Sequence, residues 1–551
     1  MSYINGKKDG VKPEHDESIA TNTTITAQEH SMLSKDITAS VTPFLVFFSV
    51  WTALSGWMLN FDVGYTGTVY QMQAFNKAYG HCETIPSNAT PGAPPDAPGM
   101  VEYCSLSATA QSVGGSVYML FMGLGAAISG ITGHYLGRRG ALQLGCLIII
   151  VGASGMLGTA ENYTAYVVCK CIGAVGMGQL QTLGPMYGVE VTPPSRRGSL
   201  VALFAVGQCV GQLAVAAVCL GSSSFLSNWS WKMPILCQIP TALVYSVVLF
   251  LFPESPRWLL LRNKEEAARK SFGRYYHKAP DSIEVVTQVK EVQSAIEVER
   301  IISSTTKWTE IFHRSNLRRT LIATTIPTAG SLSGGFAIFT YAAIFLSGVG
   351  ISDPFLINVI INACIVAGAV VGPFAVDFLG RRRTMLTGFG CMSICMLIFA
   401  VVSSALGAGN DTAKKAVVAF LCIWSFFFGG FIAPTMWTAS AEMHSIRLRT
   451  YGQAFAITVN NVFQFGCNFW TPYMINPAYG NWGTNVGYFY FAVEVAIFVT
   501  IFLIVPENAR LTLEQVDDFF QRDGKAWHTS LAKNKVIAKQ ETSQSIATIA
   551  T

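Results

Sequence analysis

Long stretches without one charged side chain recur along this 551-residue chain, and their length constrains the fold most. A helix needs about 20 apolar residues to cross the hydrocarbon core of a bilayer. Clean stretches run over 43–61, 105–133, 140–160, 198–231, 233–252, 320–352, 354–376, 384–410, 416–441 and 450–493. Two more, 162–189 and 486–505, are interrupted only by Lys170 and Glu494. With 450–493 supplying the eleventh, twelve spans result, and the first continues through Asp62 to about Tyr70. Core helices of a large soluble protein would need a charged surface around them. Only 13% of the residues are charged, about half of the roughly 25% usual in soluble chains. So much apolar sequence excludes disorder for the bulk of the chain. A net charge of +5 is too small for a nucleic-acid-binding face.

Lys and Arg set the orientation. With Met1–Thr42 placed in the cytoplasm, the inner segments hold every Lys and Arg except Lys77, Lys232, Lys414, Lys415 and the intramembrane Lys170. Both termini are then cytoplasmic, as twelve crossings require. The tails 1–42 and 506–551 read as polar cytoplasmic extensions, with no cleavable signal peptide before the first span. Sequons fall in the outer loops, and Asn88, in the long Pro-rich loop 71–104, is the best glycosylation candidate. Cys82 and Cys104 bracket that loop on the oxidising side, where a disulfide is expected. The other cysteines lie in or beside apolar spans and read as small buried hydrophobes. Nothing has metal-ligand spacing, no cofactor is expected, and no nucleophile–base pair or phosphate loop suggests an enzyme.

The chain also repeats itself. Gly137-Arg138-Arg139 returns as Gly380-Arg381-Arg382, Glu190 with Arg197 returns as Glu442 with Arg449, and Pro253-Glu254 returns as Pro506-Glu507. Each motif follows the second, fourth or sixth span of its half. Two six-helix halves, 43–252 and 320–505, joined by a charged linker, 253–319, follow from this periodicity. Parallel repeats of this kind place a binding site between the halves near the bilayer midplane.

Over about residues 44–520 these motifs resemble the sugar porter family of the major facilitator superfamily. The resemblance rests on Gly137-Arg138-Arg139, Pro185-Met186-Tyr187-Gly188-Val189-Glu190, Arg197-Gly198, Pro253-Glu254-Ser255-Pro256-Arg257, Asp377-Phe378-Leu379-Gly380-Arg381-Arg382, and Pro434-Thr435-Met436-Trp437 with Glu442. It implies an all-α, twelve-helix facilitator that moves a monosaccharide by alternating access, expected as a monomer in the plasma membrane. It also implies gating roles for Arg138, Arg139, Glu190, Arg197, Asp377, Arg381, Arg382, Glu442 and Arg449, whose ion pairs are expected to bridge the halves while the cavity opens outward. Where the family carries an Asp before the first Gly-Arg-Arg, this chain has His134, read as a surface histidine.

Asp62 and Lys170 lie at one depth in spans 1 and 4, and unpaired charges there are costly, so the two are expected to pair if those spans are neighbours, as the resemblance implies. The resemblance makes Asp62 the proton carrier of a symporter, with Lys170 where the family has Arg. Glu494 reads as close enough to the outer interface to be solvated. For the substrate, the resemblance implies Trp437 and Asn460, a hinge at Pro434, and adjoining amides Asn461 and Gln464. The family's glutamines fall instead on Ala205, Gly330 and Ser331. Gln208 and Gln212 are expected to compensate, with hydroxyls from Ser331, Thr340 and Tyr341. A polyol, inositol or quinate porter, or a nutrient receptor on the same scaffold, are the alternatives.

Overall fold

The computed structural model describes residues 42–86, 100–159, 162–192, 197–305, 307–335, 338, 353–406, 411–445, 447–476, 478–509 and parts of 511–536. Twelve helices of membrane-span character organise it. The first six are α1 (Pro43–Val69), α2 (Ala108–Tyr135), α3 (Gly137–Gly158), α4 (Tyr163–Val191), α5 (Arg197–Ser223) and α6 (Trp229–Val248). The second six are α7 (Arg314–Leu332), α8 (Pro354–Leu379), α9 (Arg381–Leu406), α10 (Asp411–Phe427, continued over Ala433–Met443), α11 (Arg449–Ile475) and α12 (Val486–Ile504). Between the sets, shorter linker helices cover Pro256–Leu261, Glu265–Tyr276 and Ile283–Thr305.

Among the described residues, nine helices are long and apolar enough by composition to cross a membrane. The three that fall short are α4 and α11, where polar residues interrupt the apolar sequence, and α7, whose described part opens with Arg314, Arg318 and Arg319.

Local caps fix several helix starts. Thr42 accepts from Leu45 N at 3.2 Å with Pro43 at the first helical position, and Ser107 and Asn162 cap α2 and α4 similarly. After α1 a β-hairpin pairs His81–Pro86 with Met100–Ser105, antiparallel, with Cys82 opposite Cys104. These two cysteines form a disulfide. The hairpin marks one end of the bundle, and the charged linker marks the other.

Buried apolar side chains cluster separately in the two halves. The halves touch through α2 against α11 and α5 against α8, where Cys209 meets Ile365 and Ala369. Within the first half, α1 and α5 approach closely because a Cβ on Gly211 would come within 2.2 Å of the Trp57 carbonyl oxygen. Helix α10 breaks at one π turn, Phe428–Ile432. Pro434 has no N–H to offer the carbonyl four residues back, so the ladder widens there.

Candidate functional site

A central cavity opens between the halves. Gln208 and Gln212 of α5 face it from the first half, and Trp437, Asn460, Asn461 and Gln464 face it from α10 and α11. Two further amides, Asn60 of α1 and Gln181 of α4, also line it, together with Phe428 of the π turn. A mid-span amide needs a wet partner, which is the sequence signal that marks Gln181. Ser331 is not a lining residue: it is buried behind the wall and donates to Asn460 Oδ1 at 2.7 Å. Its role is to orient that amide. Thr340 and Tyr341 lie outside the described residues, as does Asn88.

One turn from the cavity wall, Asp62 and Lys170 form a buried ion pair, Nζ to Oδ1 3.1 Å. Each lies seven residues from the hairpin-end terminus of its helix, which puts both about 10 Å deep. Lys170 uses all three donors, on Asp62 Oδ1, the Asp62 carbonyl at 3.1 Å and Tyr65 OH at 2.8 Å. Its ammonium also sits 4.6 Å from the Tyr118 ring centroid, a favourable cation–π placement. From α6, Gln238 Nε2 donates to Asp62 Oδ1 at 3.0 Å. Tyr65, Tyr118 and Gln238 were not anticipated. Leu59, Asn60 and Val63, which flank Asp62 on α1, line the cavity.

At the charged end the two halves repeat one device. Gly137 and Gly380 take φ of +82° and +84°, a region that favours glycine. In the first half Glu254 accepts from Arg138 N at 2.8 Å, Arg139 N at 3.2 Å and Ser255 N at 2.9 Å. Glu507 does the same for Arg381 N, Arg382 N and Ala509 N at 3.0–3.1 Å. These carboxylates occupy the positive ends of α3 and α9. Arg138 then clamps Glu190 bidentately, 3.0 and 2.8 Å, and Arg381 reaches Glu442 at 3.2 Å. Arg139 and Arg382 bond the carbonyls of Phe252 and Phe502.

Each of these pairs lies within its own half. Both partners of each pair stand on helix ends of one six-helix unit, so the clamps stiffen each half. Asp377 is exposed and joins none of the described ion pairs. Arg449 opens α11 and is exposed, and Arg197 opens α5 with its side chain outside the description. His134 is exposed, its ring meets Tyr135 edge-on, and its carbonyl accepts from Trp258 and Arg262. A Cβ at residue 137 would lie 2.4 Å from Glu254 Oε2. Gly137→Ala should therefore cost about 1–2 kcal/mol through backbone strain alone, read as a lower midpoint of thermal unfolding in detergent.

His444, just past α10, is buried with its Nε2 unpartnered. Burial, then the nearby Arg449 and Arg319, lowers its pKa to about 4. The unfolded chain binds this proton near the ordinary value of roughly 6.5. Stability is therefore complete above that value and declines as pH falls toward 4. Thermal unfolding should show a smaller loss between pH 7 and 5 in His444→Asn than in the parent protein.

At the hairpin end, bonds do cross between the halves. Asn358 of α8 donates to Thr68 of α1 at 3.3 Å, and Tyr473 of α11 to Thr109 of α2 at 3.2 Å. Glu494, expected to be solvated, is fully buried in the second half. Its helix packs it inward against α9 and α10, a facing that depth alone does not reveal.

Residues 48–520 match the family model described as "Sugar (and other) transporter". The chain belongs to that family. It is a multi-pass membrane transporter and not an enzyme. Among curated relatives, it is 26% identical over 494 residues to the probable glucose transporter rco-3 of Neurospora crassa, covering 88% of this chain and 80% of that one. It is 25% identical over 491 residues to the high-affinity glucose transporter ght2 of Schizosaccharomyces pombe, covering 88% and 89%. Among solved structures, the fold matches a partially occluded inward-open form of the xylose transporter XylE from E. coli, TM-score 0.68 at 18% identity, over 85% of this chain and 99% of that one. The transporter thus has the major facilitator architecture.

Proposed function

We propose that this transporter carries a hexose-class monosaccharide by alternating access, coupled to a proton held by Asp62. The observation that carries the reading is the amide-lined cavity between the halves, one helical turn from the Asp62–Lys170 pair. Asn60, Gln181, Gln208, Gln212, Asn460, Asn461 and Gln464 supply donors and acceptors for hydroxyls, and Trp437 and Phe428 supply apolar ring faces. No described lining residue is charged, which suits a neutral solute better than a carboxylate such as quinate. The relatives named above as glucose transporters support the same class. A further solved neighbour, described as a proton:xylose symporter bound to 6-bromo-6-deoxy-D-glucose, supports the coupling.

Lys170 holds Asp62 ionised while the cavity is empty. Substrate drawn onto Asn60 shifts α1, loosens the pair and lets Asp62 take a proton. The hairpin-end bonds between halves fit a state closed on that side and open toward the charged end. We place that charged end, with both termini and the linker, in the cytoplasm, and the protein in the plasma membrane. The intra-half clamps let each six-helix unit rock as one body, which is the gating role left to the arginine–glutamate motifs. Pro434 and its π turn serve as the hinge of α10. Uptake of radiolabelled glucose, fructose, xylose, inositol and quinate by a hexose-transport-deficient yeast tests the reading. Saturable hexose uptake that collapses with a protonophore is expected, and uptake of quinate alone would overturn it.

A further inference from the structure

Glu494 is a buried carboxyl that the Asp62 mechanism does not use. It stands eight residues into α12 from the hairpin-end terminus, about 12 Å deep, close to the depth of Asp62 in the opposite half. Its Oε1 accepts from Trp424 Nε1 of α10 at 2.8 Å, and its Oε2 has no partner. Cys395 of α9 lies close enough to interact with it. Also packed on α12 are α7, α11 and the turn Ala526–His528, whose charged groups Arg314, Arg318, Arg319, Arg449, Lys525 and His528 stand at the far, charged end of the bundle. Among the described residues no cation pairs with Glu494. An ionised carboxylate so enclosed, with one neutral donor, is strongly disfavoured against the neutral acid.

The same indole connects Glu494 to the cavity. The Trp424 ring stacks on Phe428, centroids 5.5 Å apart and planes inclined 15°. Phe428 lines the cavity and opens the π turn of α10. Glu494, Trp424, Phe428 and the cavity therefore form one contiguous row.

We propose that Glu494 is a second proton-binding site, in the second half, holding a proton in this conformation and sensing cavity occupancy through Trp424 and Phe428. Its protonation stands on the geometry alone, while the sensing rests on the sugar reading of the cavity. When the cavity fills, movement of Phe428 carries the stacked indole and alters the hydrogen bond on Oε1. That changes the affinity of the carboxyl for its proton, which passes to water as the carboxylate forms.

Infrared difference spectroscopy of the full chain in lipid nanodiscs tests this, with and without 13C-labelled glutamate. At neutral pH the wild-type protein should show the C=O stretch of a protonated acid that moves with the glutamate label. That band should vanish in Glu494→Gln and rise in frequency in Trp424→Phe, which removes the donor. Adding D-glucose should shift it. Absence of any label-sensitive acid band in the wild type, which needs no variant to fold, overturns the proposal, as does a band that survives in Glu494→Gln. Glucose binding with an unmoved band overturns the link to the cavity. Glucose that does not bind at all overturns the sugar reading instead, and the acid band still decides on Glu494.

Discussion

Replacing Lys170 with Met should destabilise the transporter by about 3–5 kcal/mol, because it strands a buried carboxylate. Lys170 is 1% exposed, and its ammonium carries three hydrogen bonds, two to Asp62 and one to Tyr65. Nothing else described near Asp62 is cationic, and Gln238 alone would remain on its carboxylate. The double variant Asp62→Asn/Lys170→Met should recover most of the loss, since it removes both charges and keeps the packing volume. Thermal unfolding in detergent separates the cases. A double variant no more stable than Lys170→Met would mean that the ammonium matters through its stem and ring contacts rather than through Asp62.

Asn460→Ala should raise the KM for hexose uptake about ten- to a hundredfold, equivalent to roughly 1.5–3 kcal/mol. The substitution removes a cavity amide and also strands the Ser331 hydroxyl, which is buried and donates only to that amide among its described bonds. Ser331→Ala touches the support and leaves the amide in place, so less than a tenfold rise is expected. Initial rates of labelled glucose uptake at several concentrations measure both. Equal effects from the two variants would place Ser331 in the cavity wall, against the geometry described above.

Much of this was legible in the sequence because a bilayer enforces a simple rule. Uncharged runs of span length gave the helices, and the recurring Gly-Arg-Arg and Glu motifs gave the twofold repeat. Equal depth made Asp62 and Lys170 candidates for one pair, and the resemblance supplied the neighbouring of spans 1 and 4 that the pair needs. What the sequence left open was which way a side chain faces around its helix. Gln238 and Tyr65 complete the ion-pair site from faces that hydropathy does not distinguish, and Glu494 turned out to point inward rather than to solvent. Ser331 was placed in the cavity by its alignment, yet one helical face separates a lining residue from a supporting one. At the charged end, Glu190 and Glu442 meet arginines whereas Asp377 meets none among the described residues, and Glu254 and Glu507 cap α3 and α9, distinctions that depend on tertiary packing.

Proton movement on substrate addition tests the central claim most directly. Purified transporter in proteoliposomes loaded with a pH-sensitive dye should acidify the lumen when hexose is added outside, without an imposed gradient. Asp62→Asn should still exchange labelled for unlabelled hexose across the membrane while the proton signal disappears. Hexose-driven acidification that persists undiminished in Asp62→Asn would contradict the account.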